Sequence, residues 1–571
     1  MPYVQSSDRS NHYDAIVVGS GISGGWAAKE LTERGLQTLV LERGPDVQHG
    51  DYPTEHKAPW EMPYNGQGNK QQMKEEQPRQ SMAGPVNPYN NHFFVNDTQH
   101  PYTFDEDTPF LWIRGYQKGG RSLTWGRQTY RWSPMDFRAN AEEGVAVDWP
   151  IRYDDVAPWY SYVERYAGIT GREENLPQLP DSEFLPPMAM NVVEKDLRSR
   201  IEENFPERTM TIGRAAILTE PKPEQGRQAC HFCGPCDRGC SVGAYFSSQS
   251  STLPAARKTG RMTMQCNSIV HSVLYDDATG RATGVRVIDR ETKAERTYTA
   301  DVIFLCASAL GSTKILLNST SQAFPNGLAN SSGTLGKFIM DHHFKVGAVG
   351  TMPGYDDTYY YGNRPNGIYV PRFRNLPGGG DAVDFLRGYG YQGGAYRESW
   401  GRALNEEGIG AGLKDRIREP GPWKMMFYGF GEILPYEDNY VTLDESTTDP
   451  WGMPALRMHV TLGENERRMR EDMKAAAAEM LDAAGATDIT VFEDRYWPGE
   501  GIHEMGGARM GRDPQTSVLN AHNQAHDVPN LFVTDGACMT SAACQNPSLT
   551  YMALTARAAE YAVRQLENGT L

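Results

Sequence analysis

The sequence predicts an α/β fold built on a Rossmann-like parallel unit. Three stretches predict it: a strand, glycine turn, helix and strand in succession at 13–44, a strand-rich meander at 263–307, and an amphipathic helix at 465–484. In the first, Asp14-Ala-Ile-Val-Val18 is a short apolar run suited to a buried parallel strand. Gly19-Ser-Gly-Ile-Ser-Gly24 follows at once and opens a helix. Gly19 permits the tight bend, Gly21 lets the backbone approach a pyrophosphate, and Gly24 lets the helix lie close to the strand, so its N-terminus faces the anion. Gly35 ends that helix. Residues 36–41 form the next strand and deliver Glu42 at its tip, at about the twenty-residue spacing where a carboxylate accepts from an adenosine ribose. No basic residue takes its place. Strand, turn, helix and acid together specify a dinucleotide. They do not separate FAD from NAD, because both present adenosine and pyrophosphate to this unit.

The chain then enters a polar stretch at 46–107, rich in Gln, Asn, Pro and Gly and lacking either period. It reads as a long surface excursion, free or in contact with a partner. Gly119-Gly-Arg-Ser-Leu-Thr-Trp-Gly126 is a second glycine-rich turn, containing Gly119, Gly120, Ser122 and Trp125, of the kind that packs backbone against a flat ring. From 263 to 307 a β-meander with turns near 276–280 and 291–294 returns to the buried strand Val302-Ile-Phe-Leu305, and 308–317 turns into a helix. Residues 352–423 are rich in Gly, Tyr, Asn and Pro, which suits polar ligand recognition or an irregular surface. At 465–484, Met469, Met473, Ala476, Met480 and Ala484 share one helical face ahead of Gly485, so those methionines are core. A final helix covers 550–567.

With 571 residues, 39% hydrophobic and 22% charged, the chain is long enough for two large lobes. Its net charge of -16 argues against nucleic acid or an anionic membrane surface as partner, since both need basic patches. The longest apolar run, near 302–310, is far short of the roughly 20 residues that span a bilayer. The N-terminus lacks a basic region followed by an apolar one, so neither signal peptide nor membrane insertion is expected. Four of the eight cysteines form Cys230-x-x-Cys233-x-x-Cys236-x-x-x-Cys240, the spacing of a ferredoxin cluster loop. A zinc site is the structural alternative, although such sites usually draw two ligand pairs from separated turns. Ser241 rather than Pro follows Cys240, which leaves a three-iron or a four-iron cluster open. Cys266, Cys306, Cys538 and Cys544 read as buried thiols.

The first turn, Gly119-Gly120, Cys306-Ala-Ser-Ala-Leu-Gly-Ser and a C-terminal block carry a resemblance over nearly the whole chain. That block runs His503-Glu-Met-Gly-Gly-Ala-Arg-Met-Gly511, Asn530-Leu-Phe-Val-Thr-Asp-Gly536 and Asn546-Pro-Ser-Leu-Thr550. Together they resemble the glucose-methanol-choline (GMC) flavoprotein oxidoreductases. The resemblance implies FAD, with pyrophosphate at Gly19 to Gly24, ribose at Glu42, adenine near Val270, and Asp535 and Gly536 by the pyrophosphate and ribityl chain. It implies a second, substrate domain on an antiparallel sheet: 1–345 mainly FAD-binding, with the excursion 46–107 and the cysteine loop 228–242, then 346–494 mainly substrate-binding, and 495–571 returning to the first domain. It places His503 and Asn546 beside the flavin, facing the substrate carbinol. Where some relatives carry a histidine covalently joined to the flavin, this chain has Thr124, which implies a noncovalent FAD.

The residue chemistry agrees independently. Alcohol oxidation needs a base for the hydroxyl proton while hydride leaves carbon, and an imidazole is mostly neutral at pH 7. An amide can hold the oxygen as charge develops without competing for the proton. A flavin and an iron-sulfur loop in one chain look like the family branch of bacterial sugar dehydrogenases, including glucoside 3-dehydrogenases and gluconate 2-dehydrogenases. The resemblance implies oxidation of a sugar or glycoside to a 3-keto sugar, a small helper subunit and a cytochrome c-type acceptor. It also implies a periplasmic location by co-export with a signal-bearing partner, with the cytoplasm as alternative. Two rivals are an oxygen-using oxidase with a structural cysteine loop and a non-catalytic electron-transfer subunit, and the His503–Asn546 pair argues against the second.

Overall fold

The computed structural model describes residues 11–359, 362–378, 383–398 and 408–571. The opening unit forms as the sequence predicts: β1 (His12–Val18), α1 (Ile22–Glu33) and β2 (Thr38–Leu41), with Gly35 at φ +102° closing the helix. Ala15 to Val18 are buried on both faces, as a central parallel strand between helices must be. Next come β3 (Met262–Gln265), β4 (Ser268–Asp276), β5 (Arg281–Asp289), β6 (Glu295–Leu305) and α2 (Ala309–Asn318). These give a sheet in the order β3-β2-β1-β6-β5-β4. The β3-β2-β1-β6 half is parallel, and the meander β4-β5-β6 is antiparallel.

A second sheet is antiparallel throughout. Its strands are β7 (His342–His343), β8 (Val346–Met352), β9 (Ile368–Val370), β10 (Tyr389–Arg397) and β11 (Trp423–Glu432). The helix α3 (Glu464–Ala483) follows, and β12 (Thr487–Glu493) then completes the sheet in the order β12-β8-β11-β10-β9, with β7 beside β11. The short strand Thr211–Ile212 joins β9, and Val193, Leu197 and Ile201 of the helix Val192–Asn204 pack into this sheet's core. The second layer therefore borrows elements from within 1–345. Met469, Met473 and Met480 of α3 are fully buried against it, as their spacing requires. The chain then returns to the first sheet through β13 (Leu531–Val533), parallel to β6, and ends in α4 (Ser548–Glu567).

The polar stretch 46–107 does not wander over the surface. Tyr52, Met73, Ala83, Val86, Phe93 and Phe94 form their own apolar cluster with Leu111, Ile113 and Leu123, and the buried Gln80 side chain is bonded to Asp97 and to the Trp112 carbonyl. The same stretch is fastened to the cysteine loop. Gly239, at φ +103°, has no room for a side chain, since a Cβ there would sit 2.4 Å from the Tyr52 ring. Composition hid this packing because its apolar residues have no regular period. Among the described residues no helix is long and apolar enough to cross a membrane.

Candidate active site

A cavity of about 490 Å³ runs from the 19–24 turn to the meeting line of the two sheets. Its residues fit a dinucleotide. Gly19 bends at φ +96° under the Cys306 carbonyl, and a Cβ on Gly24 would lie 1.9 Å from the Gly19 oxygen, so only glycine lets α1 seat its N-terminus on the turn. A Cβ on Gly21 meets nothing nearer than 4.0 Å, so that face of the turn is open to a ligand. Gly119 (φ +89°) and Gly120 (φ +51°) lie against it, the Gly119 N–H donating 3.0 Å to Ser20 Oγ. Ser122 Oγ donates to the Gly119 carbonyl at 2.5 Å, and Trp125 Nε1 to the Phe246 carbonyl at 3.0 Å, which sets the indole in the cavity wall.

Glu42 is buried and accepts from Ser20 Oγ at 2.5 Å and from the Gly44 N–H at 2.8 Å; burial raises its pKa. Val270 of β4 also lines the cavity. Asp535 accepts from the Ala537 N–H at 3.0 Å and from Ser312 Oγ, and burial pushes it up to about 6. Gly536 follows, its Cα side closed by the Glu504 carbonyl 2.4 Å from a would-be Cβ. Thr124 stands on the cavity wall between the second glycine turn and Trp125.

His503 and Asn546 meet at the far end of this cavity, the imidazole Nε2 3.5 Å from the amide Nδ2. Asn546 Oδ1 accepts from Gln392 Nε2 of β10 at 2.7 Å, which turns the Asn546 N–H groups toward His503. His503 Nδ1 lies 2.7 Å from Nδ1 of His342 in β7. Burial, then His342 and Arg121, hold the His503 pKa well below its usual value, so the imidazole is neutral. One buried carboxylate holds the backbone here. Asp341 Oδ1 accepts from the His342 and His503 N–H groups at 2.8 and 3.0 Å, and Oδ2 from those of Gly499 and Gly501 at 2.9 and 3.0 Å. Burial and the Glu504 charge push Asp341 up to about 7, while the His503, His342 and Gly499 N–H groups pull it down. Arg121 pairs with Glu504 at 2.8 Å.

The cysteine loop lies apart from this pair. Cys233 is exposed, Cys230, Cys236 and Cys240 are half-buried, and none forms a disulfide. Burial chiefly raises the thiol pKa values, to about 11 at Cys236, and the neighbouring cysteines add to the rise. The thiols thus neighbour one another, yet among the described residues no three His, Cys, Asp or Glu side chains converge as a metal site. The donors have the right chemistry for an iron-sulfur cluster and not the geometry of one. Among the remaining cysteines, Cys306, Cys538 and Cys544 are buried as expected, and Cys266 is half-buried.

Sequence reasoning missed His342, Asp341, Arg121, Glu504 and Gln392. The only signal for the first two was Met340-Asp-His-His343, several chemistry-bearing residues in a row between apolar strands. The tyrosines at 389 and 391, expected near ligand, fill the second sheet's core, and it is the intervening-face residue Gln392 that reaches the cavity. Tyr360 and Tyr361 lie outside the described residues.

A dinucleotide cradle that opens on a neutral imidazole and an oriented amide is the arrangement of a dinucleotide-dependent oxidoreductase. The comparisons identify the family: two models, each described as GMC oxidoreductase, match residues 13–343 and 435–555, and the chain belongs to the GMC oxidoreductases. It is an FAD-binding enzyme of the dehydrogenases and oxidases that act on CH–OH groups. It is 29% identical to 2-methyl-1,2-propanediol dehydrogenase of Mycolicibacterium austroafricanum, over 97% of this chain and 96% of that protein. It is 25% identical to the fructose dehydrogenase large subunit of Gluconobacter japonicus, over 97% and 98%. Among solved structures, the pyridoxine 4-oxidase of Mesorbium loti has a TM-score of 0.59 at 15% identity, covering 96% of this chain and 98% of that one. A formate oxidase of Aspergillus oryzae has a TM-score of 0.60 at 12% identity, covering 99% and 100%. Both share the fold.

Proposed function

We propose that this chain is a dehydrogenase that oxidises a secondary alcohol of a sugar or glycoside, with a 3-keto sugar as product. The observation that carries this reading is the lining around the catalytic pair. Gln392 bonds Asn546, Gln128 and Glu500 line the same cavity, and Phe344 and Phe430 on its wall stack with centroids 5.3 Å apart at 7°. Amides and a carboxylate beside an aromatic wall suit a polyhydroxylated ring, which offers hydroxyls on its rim and C–H groups on its faces. A carbinol hydroxyl set against both groups would donate to His503 Nε2 in place of the Asn546 N–H and accept from Asn546 Nδ2. The imidazole takes the hydroxyl proton while the amide holds the oxygen as charge develops. FAD, when bound, supplies the hydride acceptor.

A second reading is a small aliphatic diol, favoured by the similarity to 2-methyl-1,2-propanediol dehydrogenase. Screening fructose, glucose, glucosides, gluconate, polyols and that diol against a dye acceptor separates the two. Bleaching of the flavin by the diol alone would overturn the carbohydrate reading.

The electron route belongs to the same proposal: an iron-sulfur cluster at Cys230, Cys233, Cys236 and Cys240, a helper subunit, a cytochrome c-type acceptor and a periplasmic location. Its support is the cysteine spacing and the similarity to a protein named as a large subunit. Among the described residues the thiols do not converge on one point. Iron and acid-labile sulfide in anaerobically purified protein would establish it, and zinc without iron would make the loop structural. Thr124 at the cavity wall supports a noncovalent flavin, which denaturation should release into the supernatant.

A further inference from the structure

His342 lies behind the cavity wall, fully buried, and touches no space a substrate could enter. We propose that His342 is a positioning residue that fixes His503 as the Nδ1–H tautomer and so leaves His503 Nε2 bare toward the substrate. This deepens the alcohol-oxidation reading and rests on it.

The argument is one of hydrogen-bond polarity. His342 Nε2 bonds the backbone carbonyl of Ala543, an oxygen that can only accept, so the His342 proton sits on Nε2. Burial lowers the His342 pKa to about 4, so the ring is neutral and carries that one proton. Its Nδ1 is therefore a lone pair. His503 Nδ1 faces that lone pair at 2.7 Å and must donate, and a neutral His503 with its proton on Nδ1 has none on Nε2. Nε2 is the nitrogen that faces Asn546 Nδ2, where the carbinol oxygen is to lie. The other tautomer would put an N–H where the base is needed.

The surrounding backbone keeps this relay in register. Asp341 Oδ1 bonds the N–H groups of both histidines, the Tyr496 hydroxyl donates to the His342 carbonyl at 2.8 Å, and His342 pairs with Glu432 across β7 and β11. The rings meet edge to face, with centroids 4.9 Å apart at 86°, which directs one nitrogen at the other. The Ala543 carbonyl lies three residues before Asn546, so one short segment carries both the anchor of the relay and the partner amide.

The test uses the intact FAD-loaded protein. With ¹⁵N-labelled histidine, NMR should show His503, assigned by the signals lost in His503→Gln, with a protonated Nδ1 and a bare Nε2; a protonated Nε2 in the wild type would overturn the proposal. His342→Asn keeps an acceptor near the Nδ1 position and should reduce flavin within about tenfold of wild type. His342→Leu removes the acceptor and should slow flavin reduction about 10²-fold or more, with KM little changed, as expected when a base presents the wrong nitrogen. Reduction by His342→Leu within threefold of wild type would also overturn it. If His342→Leu does not fold, the wild-type spectrum still decides. If no alcohol bleaches the wild-type flavin, the functional reading fails while the tautomer remains measurable.

Discussion

Gly21 and Gly24 offer a paired test of where the dinucleotide sits. A methyl at residue 24 would lie 1.9 Å from the Gly19 oxygen, so α1 would have to retreat about 1.5 Å to restore ordinary contact of about 3.4 Å. Overpacking of that sort costs about 1–3 kcal/mol whether or not cofactor is present. Gly21 differs: its φ of -67° suits any residue, and an added methyl meets nothing nearer than 4.0 Å in the protein itself. Gly21→Ala should leave the apoprotein's melting temperature unchanged. With a pyrophosphate drawn onto the turn, the same methyl intrudes on the ligand, and the same 1–3 kcal/mol falls on the complex alone, a loss of about 5- to 150-fold in FAD affinity. Titration of each apoprotein with FAD by flavin fluorescence, beside melting curves with and without FAD, reads both effects. Wild-type FAD affinity in Gly21→Ala would refute the assignment of the pyrophosphate to this turn.

Three further outcomes follow from the catalytic end. His503→Ala should retain FAD but reduce it about 10²–10⁴-fold more slowly in anaerobic stopped flow, the usual worth of a general base, and Asn546→Ala should slow it less because water can replace the amide. In the pH profile of flavin reduction His503 should contribute no loss through pH 6.5 on acidification, since a base with a lowered pKa stays unprotonated to more acid pH. A rise in rate through about pH 7 would belong to Asp341, and Glu504→Gln should move that rise to lower pH because it removes a charge that raises the Asp341 pKa. Enzyme reduced by substrate should reoxidise slowly in air-saturated buffer and quickly with an artificial dye; fast reoxidation by oxygen would place the chain among the oxidases.

How much of this was legible in the sequence depends on the range of the interactions. The β1-turn-α1-β2 unit, the meander and the methionine face of α3 are specified by neighbours a few residues apart, and each forms within a residue or two of its expected place. The 46–107 stretch was misjudged because Gln77, Gln80 and Asp97 are buried by satisfying backbone groups far along the chain, which composition reads as surface. His342 and Gln392 act across 161 and 154 residues, and no local pattern encodes a contact of that length. The cysteine spacing was legible and the geometry was not, since four thiols close together in sequence are not thereby aimed at one point.

Burial accounts for the neutrality of the base, and the charges near it bear on its task. Above about pH 7, where Asp341 is ionised, that carboxylate holds the His503 N–H, Glu504 is paired with the positive Arg121 at 2.8 Å, and His342 is neutral. Their sum is about one negative charge beside a neutral imidazole. When His503 takes the hydroxyl proton it becomes a compensating cation, while the hydride would carry its negative charge to the bound flavin, so the net charge of the site is the same before and after the step. One-electron transfer to oxygen makes an anion that a nearby positive charge stabilises. Arg121 cannot provide that charge while it is held by Glu504, and Arg127 on the same cavity wall is drawn aside over the Tyr245 ring, 4.2 Å from its centroid. His503, once protonated, is then the positive charge left at this end of the cavity, so the rate of reoxidation in air-saturated buffer, and not the standing charges, separates a dehydrogenase from an oxidase.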